Sequence, residues 1–232
     1  MNLKDNVESV KERIAIAQIR SDNKVPIKIV AITKTHPASI ISEVRRAGLD
    51  AIGENRIQEA ENKFNEVANI LPHITKRLVG HLQSNKINKA LNIFDTIDSV
   101  DSLKLANKIG SKAVSLNRIM PILLEVNTSG ESAKFGFNKE NIDEMLACFE
   151  IQGIELQGLM TVGPLTSDNI RIRDAFIRLQ ELHNSIKKQL TKNVDKFTEL
   201  SMGMSSDFEI AVEEGATMVR LGTVLFGERM AK

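Results

Sequence analysis

Apolar positions divide the chain into two kinds of segment. Leu3, Val7, Val10, Ile14 and Ala17 recur at three- and four-residue steps, which predicts one amphipathic helix packed on the body of the protein. Its alternative use is as a surface for a partner. Short apolar runs follow, alternating with helical segments. Strands are predicted at Ile27–Thr33, Asp50–Gly53, Arg77–Gly80, Thr96–Ile97, Met120–Val126, Leu156–Thr161, Thr198–Leu200 and Met218–Leu221. Several are apolar without alternation, as strands buried on both faces are. The helical stretch from Asn169 to Leu190 places Ile172, Phe176, Leu179, Ile186 and Leu190 on one face. A helix followed by about eight strand–helix units is the pattern of a β/α barrel. A doubly wound open sheet has a similar pattern and stays open at this level. No repeat, low-complexity segment or flexible linker interrupts the order, so residues 1–232 read as one domain.

Composition narrows the function. Thirty-one Lys+Arg against 30 Asp+Glu leave a net charge of +1, too little for a broad nucleic-acid-binding field. One cysteine cannot form an internal disulfide. Cys148, beside Phe149, reads as a small packing residue. The four histidines show no ligand spacing, so no metal is expected. No run approaches a membrane span and the first residues do not resemble a secretory signal. The cytosol is therefore the expected compartment. The glycosylation triplet Asn127-Thr128-Ser129 reads as chance.

In a β/α barrel the chemistry sits just beyond the carboxyl ends of the strands. Lys34 follows the first strand directly. It is either a lysine that snorkels to the rim or an amine that can attack a carbonyl. After the seventh strand, Gly203-Met204-Ser205-Ser206-Asp207 leads into a helix that stops at Gly215, with Ser205 or Ser206 as its expected N-cap. After the eighth come Gly222 and Thr223. These two loops form the recurrent phosphate site of such barrels. An amine at strand one and a phosphate cup at strands seven and eight suit pyridoxal 5′-phosphate, and also a sugar phosphate in a Schiff-base aldolase. Asn55 could bond a ring oxygen or cap the next helix. His81 faces the pocket or is a satisfied polar residue. The loop Ser129–Gly136 could cover the pocket, with Lys134 in solvent.

The segments Val30-Ala31-Ile32-Thr33-Lys34-Thr35, Gly53-Glu54-Asn55-Arg56-Ile57-Gln58-Glu59 and Gly80-His81-Leu82-Gln83-Ser84-Asn85-Lys86 carry a resemblance. So do Gly158-Leu159-Met160, Leu200-Ser201-Met202-Gly203-Met204-Ser205-Ser206-Asp207, Met218-Val219-Arg220-Leu221-Gly222-Thr223 and Phe226-Gly227. With these segments the chain resembles the pyridoxal phosphate homeostasis proteins, which are similar to the barrel domain of bacterial alanine racemase. The resemblance spans nearly the whole chain. It implies a single modified (β/α)8 TIM-type barrel with an amino-terminal helix. It implies pyridoxal 5′-phosphate held as a Schiff base on Lys34 and a binding set of Lys34, Asn55, Met204, Ser205, Arg220, Gly222 and Thr223. In that set the Ser205 loop, Gly222 and Thr223 meet the phosphate, and Arg220 faces the pyridine nitrogen. His36 stands where many members carry another basic or aromatic residue.

The implied role is buffering or delivery of the cofactor inside the cell, with indirect effects on amino-acid and keto-acid balance and no catalytic residue. Its implied partners are the cofactor and, at one remove, apo-enzymes that use it; a monomer is expected. The residues agree. A racemase needs two bases, and in alanine racemase the second is a tyrosine from another domain. This chain has no tyrosine, and its length leaves little room for a second domain. Arg220 only donates hydrogen bonds, so it cannot sustain a protonated pyridine nitrogen; this disfavours carbanion chemistry but does not exclude racemisation, since racemases of this fold use the same pairing. The alternatives are a racemase with some other base, an aldolase, or a scaffold that uses its first helix.

Overall fold

A computed structural model describes residues 2–69, 71–131 and 134–228. The strands are β1 (Lys28–Ile32), β2 (Ala51–Glu54), β3 (Thr75–Leu78), β4 (Thr96–Val100), β5 (Met120–Asn127), β6 (Phe137–Asn138), β7 (Ile154–Met160), β8 (Glu199–Ser201) and β9 (Met218–Leu221). The helices are α1 (Leu3–Ser21), α2 (Ser39–Arg46), α3 (Ile57–Glu66), α4 (Ile87–Ile93), α5 (Leu103–Ser115), α6 (Ile142–Ala147), α7 (Asn169–Gln189), α8 (Phe208–Glu213) and α9 (Thr223–Phe226).

The strands are hydrogen-bonded in the order β4-β3-β2-β1-β9-β8-β7-β5, and β4 also pairs with β5. All these pairings are parallel. That last pairing closes the sheet into an eight-stranded barrel and rules out the doubly wound alternative. The two-residue β6 lies beside β5, outside the ring. It is too short to carry a periodicity, and the sequence pattern misses it. The third strand begins two residues before its expected start, at Thr75. Its early residues, Thr75 and Lys76, are polar and only partly buried, so hydrophobicity does not mark them.

Strand parity separates two cores. Ile29, Ala31, Ile52, Val219 and Leu221 belong to the large core beneath the helices, whereas Val30, Ala51 and Met218 pack together with Ile32 in a separate cluster. Lys34 continues the parity of Val30 and Ile32 beyond the end of β1, which sets it at the carboxyl-end mouth. Helix α1 starts at a capping box between Asn2 and Asp5 and buries Val7, Val10, Ile14 and Ala17. It lies on α8 and α9. Arg13 donates twice to Glu209 and Asn6 donates to the Leu225 carbonyl at 2.8 Å. The first helix is thus packed against the last two helices of the barrel. Among the described residues no helix is long and apolar enough to cross a membrane.

Candidate functional site at the barrel mouth

A cavity of about 550 Å³ opens at the carboxyl ends of β1, β8 and β9. It is lined by Ile32, Lys34, Met204, Ser205, Ser206, Arg220, Gly222, Thr223 and Val224. Six of the seven expected site residues therefore meet in one space. Asn55 does not line it. Asn55 follows β2 with its backbone against Gly80, where an added Cβ would lie 2.3 Å from the Asn55 carbonyl oxygen.

Each wall has a local cause. The loop after β8 turns at Gly203, whose φ of +92° is open to glycine and strained for other residues. A Cβ there would lie 2.6 Å from the Ala211 Cβ, so the same glycine lets α8 approach. Asp207, rather than Ser205 or Ser206, occupies the N-cap position of α8. Its carboxylate accepts the Met204 N–H at 2.6 Å. Ser205 is drawn across the cavity floor instead. Its Oγ accepts the N–H groups of Gly222 at 3.1 Å and Val224 at 3.2 Å. The serine expected to cap a helix therefore joins the two loops expected to form the cup.

Arg220 is 5% exposed. Its guanidinium donates to the Ser201 carbonyl and Oγ, both at 2.8 Å, and to the Thr161 carbonyl at 2.7 Å. Burial pulls its pKa down, while Asp98, Glu125 and Asp207 act the other way. A guanidinium so held is a fixed, donor-only wall. Glu125 of β5 feels the charge of Arg220: burial pushes its carboxyl up to about 7, against the pull of Arg220.

The other polar candidates are engaged elsewhere. His81 Nδ1 lies 3.1 Å from Asp101, and its ring stacks on Phe135 at 3.9 Å. Lys134 is not a solvated lysine. It donates to the Gly163 carbonyl at 2.9 Å and to Glu131 at 2.8 Å, tying the loop after β5 to the loop after β7. The His36 ring lies 4.8 Å from that of Phe226. Burial pushes the Cys148 thiol up to about 12, which suits a packing residue. Among the described residues no group of three His, Cys, Asp or Glu side chains is placed to hold a metal.

The sequence reading missed a buried cluster behind Lys34. Lys63 of α3 reaches Thr33, Glu54 and Glu59. Glu59 and Lys63, four residues apart on a helix, were a legible pair. The burial of Glu54 was not.

The family model described as "Alanine racemase, N-terminal domain" matches residues 2–230. The chain belongs to the alanine racemase N-terminal domain family. Within that family it is 36% identical over 231 residues to the pyridoxal phosphate homeostasis protein of Aquifex aeolicus, covering 99% of both chains. The crystal structure of PipY from Synechococcus elongatus with pyridoxal phosphate bound is 34% identical, covers 97% of this chain and 100% of that one, and superposes with a TM-score of 0.84. Alanine racemase of Clostridium difficile shares the fold at a TM-score of 0.74 and 17% identity; the match covers all of this chain and 57% of that one. The fold expected of the alanine racemase resemblance is therefore the observed one.

Proposed function

We propose that this protein binds pyridoxal 5′-phosphate at the barrel mouth and serves as an intracellular reservoir or carrier of it, without turnover. One observation carries the reading. A single cavity joins the Lys34 amine to a cup in which Ser205 Oγ already accepts the N–H groups of Gly222 and Val224. Pyridoxal 5′-phosphate supplies an aldehyde, which condenses with an amine to a Schiff base with loss of water, and a phosphate that accepts hydrogen bonds. The donor set fits both ends. Lys34 is the amine, Ser205 and Thr223 offer hydroxyls, and Gly222 brings the backbone close. Met204 and Arg220 complete the wall. Asn55 is kept as a contact at the ring edge, reached from the end of β2.

The pyridoxal phosphate homeostasis protein of Aquifex aeolicus and PipY with pyridoxal phosphate bound support the same ligand. Absence of turnover rests on the residues. The chain contains no tyrosine to act as a second base. We read residues 1–232 as one cofactor-binding unit, monomeric and cytosolic, whose partners are the cofactor and the apo-enzymes that take it up.

The test is borohydride reduction of the protein after incubation with pyridoxal 5′-phosphate, followed by peptide mass spectrometry. Label on Lys34 is expected, and Lys34→Ala should abolish both label and Schiff-base absorbance while the far-UV circular dichroism persists. Label at Lys28, Lys86 or Lys134 would overturn the assignment.

A further inference from the structure

Lys63 lies on α3, one layer outside the barrel, and is 6% exposed. Its Nζ stands 2.7 Å from the Thr33 carbonyl, 2.8 Å from Glu54 Oε1 and 2.7 Å from Glu59 Oε1. An ammonium has three protons, so all are used. The acceptors are tied in turn to the segment that holds Lys34. Thr33 Oγ1 donates to Glu54 Oε1 at 2.7 Å, and the Thr35 N–H donates to Glu59 Oε1. The residues on both sides of Lys34 are thus fastened to one buried cation. The fastening meets a real strain. Thr35 has φ +68°, a left-handed conformation that is an outlier for a β-branched residue and persists only where the surroundings over-determine it.

The two carboxylates respond differently: at Glu54 burial outweighs the hydrogen bonds from Lys63 and Thr33 and leaves the pKa above its ordinary value. Burial alone would raise the Glu59 carboxyl, but the Lys63 and Thr35 hydrogen bonds bring it below its ordinary value. Glu54 is completely buried, and its Oε2 has no hydrogen-bond partner among the described residues. A buried ion cluster is a poor device for stability alone, since a well-packed apolar group of the same volume often serves as well. It does hold a backbone in one arrangement.

We infer that Lys63, through Glu54 and Glu59, is a positioning residue for Lys34: the cluster locks the Thr33–Thr35 turn so that the Lys34 amine meets the cofactor aldehyde at the barrel mouth. The inference rests on the proposed role of Lys34. It separates Lys63 from the phosphate cup, which the cluster does not touch.

The experiment compares two ligands on the intact protein. Pyridoxine 5′-phosphate has the ring and phosphate but an alcohol in place of the aldehyde, so it measures the cup alone. Lys63→Met should weaken pyridoxal 5′-phosphate by about tenfold or more, slow borohydride trapping and move the pH at which the Schiff-base band changes, while shifting pyridoxine 5′-phosphate by less than about twofold. Lys63→Arg should recover part of the loss. Glu59→Ala, at a partly exposed position, should show the same selectivity at smaller size and stands in if Lys63→Met does not fold. Equal losses for both ligands, or an unchanged trapping rate in both variants, would overturn the role of Lys63. Trapping of the wild-type protein at a lysine other than Lys34 would instead overturn the reading of the site on which the inference rests.

Discussion

Ser205 Oγ accepts the backbone N–H of Gly222 at 3.1 Å, across the gap between the loops that follow β8 and β9. The Val224 N–H approaches the same oxygen at 3.2 Å. A hydroxyl has two lone pairs and one proton. With both lone pairs engaged, the Ser205 proton is left to be given away. The contact therefore does two things: it sets the spacing of the loops and aims a donor at the space between them.

An anion held there should depend on this hydroxyl and on that of Thr223. Ser205→Ala combined with Thr223→Ala should weaken pyridoxal 5′-phosphate by about a hundredfold or more, since hydrogen bonds to a charged group are each worth roughly 1.5–3 kcal/mol. Unphosphorylated pyridoxal should be affected little. Titration of both ligands by absorbance measures the pair, and equal losses would show that the loops shape the rim without holding a phosphate.

Gly203 is the backbone hinge of the same cup. With φ +92° and the Ala211 Cβ only 2.6 Å from any added Cβ, Gly203→Ala both strains the turn and pushes α8 away. A loss of about 2 kcal/mol or more in urea denaturation is expected, together with weaker binding of the phosphorylated ligand. A neutral substitution would mean that the loop has another low-energy path.

His183, which is buried, and Glu125, which is half-buried, should give the protein opposing pH dependences. His183 of α7 is stacked on Phe197 at 4.5 Å, and burial pulls its pKa from 6.5 to about 4. The fold favours its neutral form, so its contribution is present above about pH 6.5 and is lost as pH falls toward about 4. Burial raises Glu125 from 4.5 to about 7. The fold favours its protonated form, so its contribution is present below about pH 4.5 and is lost as pH rises through about 7. Across the shared window the slopes oppose one another. Relative to wild type, His183→Phe should tilt stability toward lower pH and Glu125→Gln toward higher pH, each by at most about 1.4 kcal/mol per pH unit. Urea melts at several pH values read both slopes, and parallel curves for all three proteins would contradict the assignment.

Turnover should be absent. Protein saturated with pyridoxal 5′-phosphate should exchange the α-proton of amino acids with deuterated solvent no faster than the free cofactor does, by proton NMR. The reason is the lack of a tyrosine in the chain. Fast exchange that vanishes with Lys34→Ala would make the protein a racemase-like enzyme.

Most barrel strands were legible as short apolar runs, and the order of strands and helices named the fold class. Lys34, the Gly203–Ser206 loop and Gly222-Thr223 were legible because a barrel puts its chemistry after the strands. Periodicity reports only which face of a local element is apolar. It does not report which distant elements meet. The β4–β5 pairing that closes the barrel joins strands through hydrogen bonds that leave no residue signature. The same limit hid Ser205, read as a local cap when its partners lie 17 and 19 residues downstream. It hid Lys134, read as solvated when it bonds the Gly163 carbonyl. It also hid Glu54 and Lys63, polar residues that would be exposed by composition. A charged side chain is buried only where partners from other segments meet its charge and hydrogen-bonding needs. The sequence thus determined the elements and the chemistry carried at their ends. The closed barrel alone decided which of those ends share a cavity, and which charged residues stand behind it.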